Sequence, residues 1–287
     1  MNIQVKNLQF SYGKRRVLSI DEAMFEKGNA YGIVGKNGVG KTTFFKTLVN
    51  INTNFKGEIL INNLDMKKNL SLLGNVGIVL DDMSLYKNRT GMFNLKYFAG
   101  LRGGAPLESV YHLADELNIA NILDLKVSTY SLGMMKKLQL LISMMNNAQV
   151  LIFDEPFRGL DAKTVDWFRD YLIKLKKEGR TILISSHIQE DIESISDYVY
   201  VLENGNFINK FDLNDKNSAL QYQVEVSEPS LFEKLLEENN VDFKYIGDFI
   251  RFIATEEDFK IIFKAAVLED IEFKQIKKEA QFSQFVK

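Results

Sequence analysis

NAYGIVGKNGVGKTTFFKTLVN, residues 29–50, starts as a short apolar run that reads as a strand, breaks at a glycine and resumes as a helix. Within it GKNGVGKTT, residues 35–43, fits the phosphate-loop spacing G-x-x-x-x-G-K-[ST]. Gly35, Gly38 and Gly40 let the backbone turn tightly enough for its N–H groups to point inward at an anion, with Asn37 in the same turn. Lys41 is placed to reach β- and γ-phosphates, Thr42 to ligate Mg²⁺, and Thr43 continues the loop into the helix. A glycine-rich turn ahead of a helix can match such a pattern without binding anything. The strand before it and the helix after it supply the context that phosphate binding needs.

Further along, QVLIFDEP (149–156) is an apolar strand ending in two carboxylates. Next to a phosphate loop, Asp154 reads as a Mg²⁺ ligand and Glu155 as the base that polarises an attacking water, a role worth on the order of 10²–10⁴-fold in rate. TILISSH (181–187) is another core strand, and His187 ends it on the edge where α/β sheets bind ligands. Together these three segments make Lys41, Glu155 and His187 the candidate catalytic residues.

The remaining pattern fills in around them. IQVKNLQFSYG starts like an edge strand, and GEILINN (57–63) and VGIVL (76–80) read as strands. Residues 85–145 turn helical, and strand–helix alternation resumes at 150. YVYVLENGNFI closes the stretch as a hairpin turning at Asn204-Gly205. Such alternation predicts an α/β core with a parallel sheet and a helical insert. Residues 220–287 follow the order β-α-β-β-α-β, that of a split ferredoxin-like domain. Residues 211–287 carry a net charge of −6 and residues 1–210 a net +4, which with the polar stretch NKFDLNDKNS (209–218) sets a boundary near 210.

Composition bounds the rest. The chain has 287 residues and is 46% hydrophobic, enough for a substantial core. It has no cysteine, which excludes disulfides and thiolate metal sites and suits a cytoplasmic setting. The first residues lack the apolar core of a signal peptide, and no segment approaches the ~20 apolar residues of a membrane span. Work at a membrane would therefore go through a partner. A net charge of −2 argues against a nucleic-acid binder that relies on bulk electrostatics.

Over residues 1–210 these motifs, in this order, resemble the ATP-binding subunit of an ABC transporter. The resemblance implies a P-loop NTPase core with an antiparallel β subdomain and an inserted helical subdomain (about 85–145), followed by a small α+β domain at 220–287. It implies ATP and Mg²⁺ as cofactors. Tyr12 in FSYG matches the aromatic that stacks on adenine, though it is also an ordinary strand-end aromatic. Asp161 in RGLD matches a residue that faces the partner subunit, and His187 the switch histidine.

YSLGM (130–134) resembles the family signature LSGGQ, with Tyr130, Leu132 and Met134 as departures and Ser131 and Gly133 retained. In the family this segment caps ATP held by a second subunit. The resemblance thus implies a head-to-tail dimer with two ATPs at its interface, although the same serine also reads as a plain helix N-cap. Asp81 in VGIVLDDMSLYKN stands where the family has a glutamine, and an Asp there still reaches Mg²⁺ or a water. The resemblance also implies a separate transmembrane permease, docking near Met83–Arg89 and Tyr97–Arg102, and a place on the inner face of the cell membrane. The SLGM form is similar to that of exporters of peptides, bacteriocins and antibiotics. A DNA-repair or ribosome-associated ATPase is the alternative. It is disfavoured by a single phosphate loop, no heptad run and no zinc cysteines.

Overall fold

The computed structural model describes residues 1–104, 107–215 and 219–286. Positions 216–218, within the polar stretch taken as a boundary, lie outside the described residues. In chain order the strands and α-helices are β1 (Ile3–Tyr12), β2 (Arg15–Phe25), β3 (Ala30–Val34), α1 (Lys41–Leu48), β4 (Lys56–Ile61), β5 (Leu64–Asp65), β6 (Val76–Val79), α2 (Gly91–Gly100), α3 (Leu107–Glu116) and α4 (Leu132–Met144). They continue with β7 (Val150–Asp154), α5 (Ala162–Lys177), β8 (Thr181–Ser185), α6 (Gln189–Ile195), β9 (Tyr198–Glu203) and β10 (Asn206–Asp212). The chain ends with β11 (Leu220–Val226), α7 (Pro229–Glu238), β12 (Phe243–Ile246), β13 (Phe249–Ala254), α8 (Glu256–Leu268) and β14 (Phe273–Ala280). The chain divides into two units, Met1–Phe211 with Phe285–Lys287, and Asp212–Gln284.

In the first unit a six-stranded sheet runs β10-β9-β3-β8-β7-β6, and its β9-β3-β8-β7-β6 pairings are all parallel. Parallel strands covered on both faces carry near-continuous apolar runs. Every residue of β3, β7 and β8 is buried, as their sequences AYGIV, VLIFD and TILIS require. The parallel direction brings the C-terminal ends of β3, β6, β7 and β8 to one edge. From that edge leave the phosphate loop, Asp81, Asp154–Glu155 and Ser185–His187. The β9–β10 turn has φ of 48° at Asn204 and 81° at Gly205, the two left-handed residues of a tight hairpin.

A second sheet, β2-β1-β4-β5, is antiparallel. β1 is not an edge strand: it pairs with β2 on one side and β4 on the other. Only one of its faces is buried, through Ile3, Val5, Leu8 and Phe10, and that half-buried alternation looks the same in an edge strand as in a central one. Its apolar face joins Phe25, Phe44, Phe45 and Ile152 in one core, so α1 is packed from both sides.

In the helical insert, buried Asn94 of α2 accepts from Tyr86 N at 2.8 Å and donates to Tyr86 O at 3.2 Å and Thr90 O at 2.9 Å, which pins the preceding loop to the helix. The second unit has the sheet order β12-β13-β11-β14. With its strands in β-α-β-β-α-β sequence this is the split ferredoxin-like topology, and its core is built on Tyr222, Val224, Phe232, Leu236 and Phe252.

Candidate active site

The phosphate loop is held open by its glycines. Gly35 has φ 153°, and a Cβ there would sit 2.3 Å from Leu202 O, so no other residue fits. Gly40 is left-handed at φ 119° and starts α1, where the loop turns into the helix. Lys41 lies across the loop and donates to Gly35 O at 2.5 Å. Burial holds its ammonium below the usual lysine value, against the opposing pull of Glu155 and Asp154. A half-buried cation beside backbone N–H groups at a helix start is a site for a phosphate chain.

Asp154 ends β7 with only 2% of its surface exposed. A carboxylate so buried is costly unless fully bonded. Thr42 Oγ1 donates to its Oδ2 at 2.5 Å and Ser185 Oγ donates to its Oδ1 at 2.6 Å. The same serine ties down the next residue: Glu155 N donates to Ser185 O and to Ser185 Oγ, both at 3.2 Å. Glu155 sits at φ 49°, a left-handed conformation unusual for a side chain of its size. That bend turns the carboxylate off the strand axis toward the loop. His187 Nδ1 lies 2.8 Å from Glu155 Oε2, and the imidazole stays half exposed.

These groups bound a cavity of about 550 Å³, lined by Asn37, Gly38, Gly40, Lys41, Thr42, Thr43, Asp81, Asp154, Glu155, Arg158 and His187. Arg158 and Ser185 were not singled out by the sequence reading. Arg158 Nη1 donates to Asp81 Oδ2 at 3.3 Å, so Asp81 is held by a cation at the cavity wall. The neighbouring Asp82 pairs with Lys46 of α1 at 2.5 Å.

Besides Gly35, whose backbone starts the loop, four candidates lie outside this cavity's lining. Tyr12 ends β1 with half its surface exposed, edge-on to Phe10. Ser131 caps α4, its Oγ accepting from Met134 N at 3.2 Å. Gly133 packs so close to the segment after Glu155 that a Cβ would lie 2.8 Å from Gly159 O. Asp161 caps α5 through Thr164 N at 2.9 Å and pairs with Lys137 of α4 at 3.0 Å. The Thr164 N–H first, then Lys137, hold its carboxyl down at about 2. Ser131, Gly133 and Asp161 thereby lie on two segments joined side by side, with Ser131 exposed.

The ABC transporter family model matches residues 21–158. The bacitracin transport ATP-binding protein BcrA of Enterococcus faecalis is 32% identical over 239 residues, 82% of this chain and 78% of that protein. This chain belongs to the ABC transporter ATP-binding family. The lantibiotic transport ATP-binding protein SrtF of Streptococcus pyogenes is 32% identical over 72% of this ABC subunit and 89% of its own length. An uncharacterized ABC transporter ATP-binding protein of Bacillus subtilis, YcbN, is 30% identical over 96% of this chain and 92% of its own. Among solved structures, an ATP-binding subunit of an ABC transporter superposes with a TM-score of 0.69 at 25% identity, over 76% of this chain and 92% of that one. A bacterial Atm1-family ABC exporter with ATP bound gives 0.66 at 25% identity, over 75% of this chain and 39% of that one. The fold class expected from the sequence, a P-loop NTPase core, is the one these neighbours share. The relatives are transport subunits, and the DNA-repair or ribosome alternative is not favoured. As an ABC ATP-binding domain the chain binds ATP and works with a transmembrane partner. Among its described residues no helix is long and apolar enough to cross a membrane.

Proposed function

We propose that this ABC subunit hydrolyses ATP to ADP and phosphate, and that it does so as a head-to-tail pair beneath a separate permease on the cytoplasmic face of the membrane. Residues 1–210 form the motor and 220–287 an accessory domain. The observation that carries the reading is the bonded chain Thr42–Asp154–Ser185–Glu155–His187. It fixes one carboxylate in place and leaves the next one turned toward the phosphate loop.

Thr42 and Asp154 are the residues that would hold Mg²⁺. Their hard oxygens meet at the loop. Among the described residues no three His, Asp or Glu gather as a metal site, which fits an ion taking its other ligands from phosphate and water. When bound, Mg²⁺ would supply positive charge against the phosphate chain. Asp81, held by Arg158, lines the same cavity and would be placed to meet the ion through water. The loop N–H groups and Lys41 stabilise the transferring phosphoryl group. Glu155 uses Oε1 to orient and deprotonate water, while His187 donates from Nδ1 to Oε2; donating from Nε2 to a γ-oxygen as well requires the imidazole to carry both protons. Tyr12 stacks on adenine. Ser131, with Gly133 beneath it and Asp161 alongside, caps the ATP of the second copy.

The permease surface is proposed at Met83–Arg89 and α2. There Tyr86, Phe93 and Tyr97 form an exposed aromatic cluster, Tyr86 and Tyr97 edge to face at 4.9 Å, with Arg89 over Phe93 at 5.1 Å. The expected surface shrinks at one end. Arg102 turns inward and donates to Ile142 O at 3.2 Å, so the second part is Tyr97–Leu101. Relatives named for bacitracin and lantibiotic transport support a peptide antibiotic or bacteriocin as cargo, moved outward.

Phosphate release by the purified chain and its Glu155→Gln variant tests the chemistry. The variant should bind ATP normally and lose hydrolysis by 10²-fold or more. Normal turnover in the variant would remove Glu155 from its role.

A further inference from the structure

The accessory unit contains a cavity of about 620 Å³ that belongs to none of the chemistry above. It lies where the short strand β12 stops covering β13. The register places Lys244 directly opposite Arg251, and Gln221 opposite Ile253, so these four share one face of the sheet and all line the cavity. That face is the one turned away from buried Ile250, Phe252 and Ala254.

Two like charges directly opposed across strands destabilise a sheet unless something offsets them. Among the described residues neither Lys244 nor Arg251 has an ion-pair partner. Arg251 makes no hydrogen bond or ion pair among the described residues, and its Nε is buried without a partner. Gln221 is only 5% exposed and has no side-chain bond among the described residues. Two acids also stand on the wall, Asp258, which accepts from Thr255 at 2.7 Å, and exposed Asp242, and neither is paired with the two cations among the described residues. Beside the cations, Ile253 and Ile261 are exposed at 50% and 54%, a wet apolar pair in the same cavity. Its volume is that of a small-ligand site, and apolar walls with a few convergent polar groups are the usual make-up of one.

We propose that this cavity binds a small organic monoanion with an apolar tail: the carboxylate on Arg251 and Lys244 with Gln221 as a further donor, the tail over Ile253 and Ile261. The site is separate from the ATP site and does not depend on hydrolysis.

The test uses the full chain with excess ADP filling the phosphate loop, and octanoate as the probe. Isoleucine methyl NMR reports on the cavity and calorimetry gives the affinity. Octanoate should shift the Ile253 and Ile261 methyls saturably. Octanol and octylamine should bind at least tenfold more weakly. Arg251→Gln should weaken octanoate by roughly ten- to hundredfold, as loss of a charged hydrogen bond predicts, with ADP affinity unchanged and the melting temperature unchanged or raised as the opposed charges are relieved. If Arg251→Gln lowers the melting temperature, Lys244→Gln, an exposed position, takes its place with the same expectation. Methyls that do not respond, equal binding of octanol, or octanoate affinity untouched by the variant would each overturn the proposal.

Discussion

Replacing Ser185 by alanine removes one hydroxyl from a wholly buried position and should be felt twice. Ser185 Oγ donates to Asp154 Oδ1 at 2.6 Å, a bond to a charged group that is itself 2% exposed. Bonds of that kind contribute about 1.5–3 kcal/mol, and the acceptor cannot turn to water when the donor is gone. The second bond, from Glu155 N, is partly insured because that N–H also reaches Ser185 O at 3.2 Å. Its loss adds under about 1 kcal/mol. The sum, about 1.5–4 kcal/mol, corresponds to a fall in melting temperature of roughly 3–16 °C for a unit of this size. Function should change in a specific way. Among the described residues Asp154 then keeps only Thr42 as a side-chain donor, so its carboxylate is less well aimed, and loss of such supporting bonds typically costs 10–100-fold in metal affinity. Phosphate release measured across a Mg²⁺ titration should show half-saturation moving up by about that factor, with Ser185→Thr restoring part of it. A variant that melts within 2 °C of wild type, or that loses stability with an unchanged Mg²⁺ profile, would refute the reasoning from these bonds.

Three other outcomes are expected. Asp161 has a folded-state carboxyl at about 2, below its ordinary value of 3.8, so its contribution to stability is complete above about pH 4 and is lost as pH falls toward 2. Urea midpoints from pH 5 to 2 should therefore fall more steeply for wild type than for Asp161→Asn, and identical slopes would contradict the assignment. Tyr12→Ala, at a half-exposed strand end, should leave stability within about 0.5 kcal/mol while weakening ATP by roughly five- to hundredfold through lost stacking. Unchanged ATP affinity would make Tyr12 structural only. Glu155→Gln should separate binding from hydrolysis as described above.

The motor was largely legible in the sequence because each of its motifs is local. A glycine forced to φ 153° at Gly35 and a lysine one residue into a helix need no tertiary knowledge to recognise. The hairpin at Asn204-Gly205 and the β-α-β-β-α-β order of the second unit were readable for the same reason. What escaped was set by register. Ser185 meets Asp154 because β7 and β8 pair in parallel with those two residues side by side, a relation invisible along the chain. Arg158 meets Asp81 across 77 residues. The strand β2, RRVLSIDEAMF, is not legible from its own pattern, and its pairing is what makes β1 central rather than an edge. Arg102 looked like part of an exposed surface because a charged side chain near a helix end usually is, yet it anchors α4.

The most direct test of the account is the mass in solution of Glu155→Gln with and without MgATP. Ser131, Gly133 and Asp161 lie outside the lining of the cavity that holds Lys41 and Glu155, so one chain supplies only part of the proposed site. The account predicts a monomer without nucleotide and a doubled mass with MgATP, and predicts that adding Ser131→Arg abolishes the doubling while ATP still binds. A variant that saturates with MgATP and remains monomeric would contradict the paired, ATP-joined subunit.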